Sequence, residues 1–480
     1  MNWINLMPHQ VIGWESTDPV PNHIFNSYLS ARHGQLYYDD LNLAHLVTAT
    51  DHAPAPYPSP LELIYLPMNR RKIHDMNALF ARARADVGYG GRFLYAYASK
   101  ANTAEEVVRT TLEAGAHHEM SSVVDVEIVQ IMRRAGLLRP ECMVFANGFK
   151  PAGSPYADSL LQLKRTHDNL IPIIESLDEL PPLLHSDQQF DVGLRQKSYG
   201  FHQNIAAMDA SNTRFGMDTV QLWQAAAQIA AAPNLQLTVY HAMIGSQIAD
   251  VDRFIAGLEP AIEQYAQLRQ QYPSLSIFNF GGGMPVAMTL DFAFDYDAFA
   301  RRLLQTFQRV CGRHNVPAPD VMGEFGRYTT SEHGAHFFKI ITVKEAGYQY
   351  PWYIVDGSIM TSFPDSWALS EHFIVLPLNH LDKPFRRVQL GGVTCDSDDV
   401  YPPKPSQAPL YLPAETDDLF VGFFSVGAYQ EMLGGVRGSK HCVLPEASEL
   451  IVDRDADGAY SFHRLPGQST QDVLRNLGYV

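Results

Sequence analysis

The sequence predicts an α/β protein: a (β/α)8 barrel followed by a separate C-terminal β domain. Three observations carry this reading. Between Arg92 and Arg327, eight short apolar or aromatic runs alternate with helical patterns. Beyond Arg327 the runs become β-rich. At 480 residues the chain is long enough for two or three domains.

A helix over about Asn69 to Ala85 precedes the first barrel strand. The strand candidates then begin at "RFLYAYAS" (Arg92), "HHEMS" (His117), "CMVFANG" (Cys142) and "LIPIIES" (Leu170). "DVGLRQKS" (Asp191), "LQLTVYHAMI" (Leu235), "LSIFNFGGG" (Leu275) and "DVMGEFGR" (Asp320) complete the eight. Helical patterns lie between them. "TAEEVVRTTLEAG" carries the spacing of a capping box at Thr103 and Glu106. "VVDVEIVQIMRRAG", "TVQLWQAAAQIAAA", "VDRFIAGLEPAIEQYAQLRQQ" and "DYDAFARRLLQTFQRVCGRH" are the others. Parallel strands need such crossovers, and eight of them with right-handed connections close into a barrel. A doubly wound open sheet is the alternative, and it usually has fewer strands. After Arg327, "HFFKIITVKE", "YPWYIVDG", "RRVQLGGVT", "DLFVGFFSVG" and "SELIVDRDADGAYSFHRL" read as strands, with a turn at Asp457-Gly458. The expected division is residues 1–65 joining the β domain, 66–330 as the barrel and 331–480 as the β domain.

Composition narrows the function classes. The net charge of −16 argues against a nucleic-acid binder, which needs clustered positive charge, and suits a cationic small molecule. No run approaches the roughly 18 apolar residues of a membrane span. The N-terminus lacks the basic and apolar regions of a signal peptide. Four scattered cysteines without metal-site spacing read as reduced thiols in a cytoplasmic protein, and no metal is expected.

In a parallel barrel, functional groups collect at the C-terminal strand ends. Here those ends carry Lys100, Glu119, Asn147, Gly245-Ser246, Gly281-Gly282-Gly283, and Glu324 with Gly326-Arg327. Taken singly each is ordinary. A lysine at a strand end is a surface charge, "FGGG" is a tight turn, "EFGR" is an ion pair, and His241 is a satisfied barrel histidine. Converging on one mouth, they suit one cofactor. A lysine amine condenses with an aldehyde, glycine loops and an arginine bind a phosphate, and a carboxylate keeps a pyridine nitrogen protonated. Those are the requirements of pyridoxal 5′-phosphate.

The motifs "YASKAN", "ANGFK", "RFGM", "HAMIGSQ", "FGGG" and "EFGR" occur with three longer ones. These are "WYIVDGSIMTSFPDSWALSEHFIVLPL", "VTCDSDD" and "FFSVGAYQEMLG". Together they resemble the barrel-type, alanine racemase-like pyridoxal phosphate decarboxylases of basic amino acids, above all the biosynthetic arginine decarboxylases. The resemblance runs from about Ser59 to Tyr479. It implies Lys100 as the lysine bonded to the cofactor and Glu324 as partner of the pyridine nitrogen. Ser246, Gly282, Gly283, Gly326, Arg327 and Tyr429 would surround the phosphate. Glu119 would lie near the ring oxygen, with His241 and Met243 also at the cofactor. Cys395 would protonate the substrate carbon, and Asp396, Asp365 and Asp399 would bind the cationic end. Cys395 and Asp396 would enter from a neighbouring subunit, making a homodimer or larger homo-oligomer with shared sites.

Two departures accompany the resemblance. Many relatives have a ring-stacking histidine where this chain has Met243, whose thioether can also lie against an aromatic face. The long biosynthetic arginine decarboxylases carry a helical insertion where this chain has only Tyr328 to Pro351. The implied reaction is decarboxylation of L-arginine to agmatine in polyamine biosynthesis. Ornithine, lysine or a carboxylated polyamine are alternative substrates, and a non-catalytic regulatory homologue is a rival from another class. A racemase of similar architecture would place arginine, not Glu324, against the pyridine nitrogen.

Overall fold

A computed structural model describes residues 10–49, 55–197, 213–406, 408–438 and 440–480. Two compact units result. One comprises Asn69–Pro285 and Ala293–Thr329; the other gathers Met1–Met68, Val286–Phe292 and Thr330–Val480. The short stretch Val286–Phe292 leaves the first unit in mid-sequence, which no composition change announces.

In the first unit, eight parallel strands among the described residues close into a barrel. They are β1 (Phe93–Ala98), β2 (His117–Met120), β3 (Val144–Ala146), β4 (Leu170–Ile174), β5 (Phe190–Gln196), β6 (Leu235–Ala242), β7 (Ile277–Asn279) and β8 (Asp320–Phe325). All eight expected runs contribute. β8 closes on β1 in parallel register, Glu324 opposite Ala96. Side chains alternate along a strand, so Leu94 and Ala96 of β1 point inward with Ile171 and Ile173 of β4. Phe145, Val239, Ile277 and Met322 fill the rest of that interior. The barrel centre is therefore packed, and polar chemistry is confined to the strand ends.

The crossover helices follow local capping rules. Ser122 Oγ accepts from Asp125 N to start Val123–Arg134, and Asp218 forms a full capping box with Gln221. The helix after β1 begins later than expected, at Glu105, with Ala104 as its N-cap. Asn102 Oδ1 accepts the Ala104 N–H, so a carboxamide turn precedes the helix. The helix before the barrel runs Leu66–Val87, a turn of sequence longer than expected.

In the second unit, Leu61–Tyr65 pairs antiparallel with Gly334–Lys344 and parallel with Ser448–Arg454. Ser448–Arg454 and Tyr460–Leu465 form the hairpin, whose turn contains Gly458 at φ 87°. A small sheet (His23–Ile24, Leu29–Arg32, Gln35–Tyr38, Leu41–Asn42) adds Leu29, Leu36 and Tyr38 to a core shared with Leu63, Phe337 and Phe424. Strand Phe385–Gly391 leads into the loop carrying "CDSDD" and returns as Val400–Tyr401.

Candidate active site

The expected barrel residues meet at the C-terminal mouth. Glu324, near the end of β8, is 6% exposed. Asn279 Nδ2 donates to its Oε1 at 2.7 Å, and Asn147 Nδ2 lies 3.1 Å from each oxygen. Asn147 Nδ2 also donates to Glu119 Oε1 at 2.8 Å. One amide thus bridges two buried carboxylates from β2 and β8. Asn279 does a second job, because its Oδ1 accepts from Gly281 N and fixes the first turn of the glycine loop. His241 is buried beside them, its Nε2 3.6 Å from Glu324 Oε2.

Protonation follows from burial. Removal from water pushes the Glu119 carboxyl up to about 7; Lys100 opposes that rise and Glu324 adds to it. Burial drives His241 well below 6.5, reinforced by the Arg195 cation, so its imidazole is neutral. Lys100 occupies the single turn Ser99–Ala101 that follows β1, exposed at the mouth. Its charge reaches both Glu119 and His241.

The glycine loops explain their own composition. Gly283 has φ 90°, and a Cβ there would sit 2.3 Å from Gly245 O. Gly281 has φ 71°, and its Cβ would meet Met243 Sδ at 2.7 Å. The loops after β6 and β7 therefore touch backbone to backbone, with Met243 lying over the second. Ser246 is exposed on the β6 loop, and Gly326-Arg327 ends β8 where the short helix Arg327–Thr330 starts.

Beside this group runs a second polar cluster, of which the motifs contain only Lys150, in "ANGFK". Lys150 Nζ pairs with Glu179 Oε2 at 2.9 Å, and Arg195 Nη1 with Glu175 Oε1 at 2.9 Å. Glu179 Oε2 also accepts from Glu175 N, tying the pairs together. Arg195 stands opposite His241 in the β5–β6 register. Against burial, Arg195 and Lys150 hold Glu175 below its ordinary value. Such buried pairs are costly to break one-sidedly. The signal was present as charged residues at the ends of apolar strands, but a sequence does not show which pair with which. Asn279 likewise hides as one polar residue inside "SIFNF".

The remaining expected residues lie in the β unit. Cys395 is exposed, and Asp396 is half-buried with His441 Nε2 3.0 Å from its Oδ2. Tyr429 takes φ 70°, uncommon for a residue with a side chain. Asp399 is a correction. It is 3% exposed, and both oxygens are engaged: Oδ1 by Ser358 Oγ and Met360 N, Oδ2 by Thr394 N and Oγ1. It fastens the two ends of the "CDSDD" loop to the Ser358 turn and is not available to read a substrate. Asp365 is 4% exposed and accepts from Gln430 Nε2 at 2.8 Å, so it too is enclosed.

The mouth fits pyridoxal 5′-phosphate. Glu119 Oε2, Asn147 Oδ1 and both His241 nitrogens are buried without hydrogen-bond partners, as polar atoms lining a polar guest would be. The two glycine loops abut at a place no Cβ could occupy, which leaves room for a guest to approach the backbone closely. Among the described residues no group of acidic, histidine or cysteine side chains is arranged to hold a metal.

Fold and site together define a barrel enzyme of the pyridoxal phosphate type. Residues 73–331 match the family model "pyridoxal-dependent decarboxylase, pyridoxal binding domain", more than half the chain. The chain belongs to the pyridoxal-dependent decarboxylase family, and is a carboxy-lyase that uses pyridoxal 5′-phosphate. It is 22% identical to the biosynthetic arginine decarboxylase of Photorhabdus laumondii, over 91% of this chain and 86% of that one. It is 23% identical to arginine decarboxylase 1 of Oryza sativa, over 88% and 74%. Among solved structures, the biosynthetic arginine decarboxylase of Campylobacter jejuni superposes with a TM-score of 0.79 at 20% identity, covering 95% of this chain and 91% of that one. A diaminopimelate decarboxylase from M. jannaschii gives 0.79 at 16%, covering 94% and 98%. No described helix is long and apolar enough to cross a membrane.

Proposed function

We propose that this enzyme decarboxylates L-arginine to agmatine for polyamine biosynthesis, as a cytoplasmic homodimer with shared active sites. The carrying observation is the Glu324 carboxylate, held by two side-chain amides at a mouth that also presents Lys100 and Glu119. Similarity to arginine decarboxylases over most of both chains supports the substrate.

When bound, pyridoxal 5′-phosphate supplies an aldehyde and an electron-accepting ring that takes up the electron pair left as CO₂ departs. Lys100 would hold the cofactor at its aldehyde end through its amine. Glu324, oriented by Asn147 and Asn279, would accept the hydrogen bond of the ring nitrogen and keep its proton in place. Glu119 would serve the ring oxygen, and neutral His241 and Met243 would hold the ring. Ser246, Gly282, Gly283, Gly326, Arg327 and Tyr429 would hold the phosphate. Cys395 of a second copy delivers a proton to the substrate Cα, and Asp396 beside it binds the cationic end through charge-assisted hydrogen bonds. A carboxylate rather than an arginine at the Glu324 position favours decarboxylation over racemisation.

Steady-state kinetics on arginine, ornithine, lysine and citrulline test this. Arginine should give the highest kcat/KM, since a planar guanidinium gains most from a carboxylate. Asp396→Ala should lower kcat/KM on arginine by about 2–4 kcal/mol, the range for breaking one side of a charge pair, and lower it much less on citrulline. Equal losses on both substrates would mean Asp396 does not read the charge.

A further inference from the structure

The loop that carries Cys395 is touched by a second cysteine from elsewhere in the same unit. Cys442 Sγ lies 3.9 Å from Cys395 Sγ, although 47 residues separate them. The contact is built rather than incidental. His441, the preceding residue, places Nε2 3.0 Å from Oδ2 of Asp396, the residue after Cys395. Two successive residues of one segment thus meet two successive residues of the other. The segment is anchored on its own side, with Lys440 Nζ 3.5 Å from Glu446 Oε1 and Arg437 N donating to the same carboxylate. Cys442 and Val443 both take left-handed backbone, φ 56° and 58°. For a β-branched valine that conformation is strained, and it persists only where surrounding structure imposes it. Cys395 is exposed and Cys442 half-buried, so a small oxidant reaches them, while Cys142 and Cys311 are buried. Burial also pushes those two thiols up to about 12 and about 11, away from reactivity.

We propose that Cys395 and Cys442 form a reversible disulfide that switches the enzyme off by taking away the proton donor. The inference rests on the reading of Cys395 as that donor. The chemistry balances with a peroxide as oxidant. The Cys395 sulfur attacks one peroxide oxygen, the O–O bond breaks, and Cys395 becomes a sulfenic acid as the first water leaves. Cys442 Sγ then attacks that sulfur, the S–O bond breaks, and the hydroxyl departs with the Cys442 proton as the second water. The cysteine pair loses two electrons and the peroxide gains them. Forming the bond requires the sulfurs to close from 3.9 Å to about 2.05 Å, a movement that surface loops accommodate. A dithiol reductant reverses it.

The test is to treat the holoenzyme with hydrogen peroxide, block free thiols with N-ethylmaleimide, and map peptides without reduction. The expected result is a Cys395–Cys442 linked peptide, unmodified Cys142 and Cys311, and activity lost at least tenfold that returns with dithiothreitol. Cys442→Ser should keep basal activity, yield no linked peptide, and lose activity to peroxide in a form dithiothreitol does not restore, because the sulfenic acid then oxidises further. Absence of the linked peptide when both thiols have been consumed would overturn the proposal, and so would dithiothreitol-reversible inactivation of Cys442→Ser. Full activity in the linked protein would overturn it too. Cys395→Ala assayed without oxidant separates the two ideas: if it remains active, the proton-donor reading fails whatever the peptides show.

Discussion

Asn147 shows what one residue decides in this molecule. Its Nδ2 is shared between Glu119 and Glu324, two carboxylates that repel each other in a dry site. Burial raises Glu119 from 4.5 to about 7, and the Asn147 hydrogen bond holds that rise down. An acid whose folded pKa is raised binds its proton more tightly when folded, so its contribution favours folding below the unfolded pKa. That contribution is lost as pH rises from about 4.5 through about 7. Asn147→Ala should therefore destabilise the cofactor-free protein by about 1.5–3 kcal/mol at pH 8, the worth of hydrogen bonds to a charged group, and distinctly less at pH 5. Thermal melts at the two pH values measure this. In a Glu119→Gln background the pH difference should shrink, and an equal loss at both values would show that Asn147 does not manage the carboxylates. The positions of Lys100 and Glu324 at the barrel mouth were legible in the sequence because each stands in a motif at a strand end. Asn279 and Arg195 were not, since their importance lies in partners from other strands. Asp399 misled for a related reason: in sequence an acidic loop residue looks like its neighbours, and only the four donors around it reveal an anchor.

The barrel strands were readable because most are short apolar runs that alternate with helical periods, and tertiary packing enforces the same pattern. The capping of the helix after β1 was less so. A Thr-x-x-Glu spacing suggests a start at Thr103, whereas the turn that presents Lys100 and the Asn102 carboxamide delay it to Glu105. The glycine loops were visible as composition, but their mutual contact was not. That contact carries a prediction. Gly283→Ala places a Cβ against Gly245 O in a left-handed backbone that alanine adopts at a cost. The two loops must then separate. Cofactor affinity, read by absorbance on titrating pyridoxal 5′-phosphate into the apoprotein, should fall at least tenfold, while far-ultraviolet circular dichroism stays that of a folded barrel. Unchanged affinity would mean these loops do not hold the cofactor.

For the molecule as a whole, the residues expected to carry the chemistry divide between two units. Lys100, Glu119 and Glu324 belong to the barrel, Cys395 and Asp396 to the β unit. If an active site takes its proton donor from a second copy, two inactive chains rescue each other. Lys100→Ala and Cys395→Ala, dissociated and remixed, should recover about a quarter of wild-type activity, because half the dimers are mixed and each mixed dimer has one intact site. Persistent inactivity with mixed dimers demonstrably formed would count against a shared site. The negative total charge, plain in the composition, suits a cationic substrate at this scale, but it does not single out arginine.

If Lys100 holds the cofactor at the mouth, it is the lysine that bonds to it. Lys150, on the loop after β3, is the other lysine near the mouth, yet its ammonium is buried against Glu179 and the Gly148 carbonyl. The direct measurement is borohydride reduction of the holoenzyme followed by peptide mass spectrometry. A pyridoxyl group on Lys100, absent from a folded Lys100→Ala protein, is the predicted result; the group on Lys150 or any other lysine would contradict it.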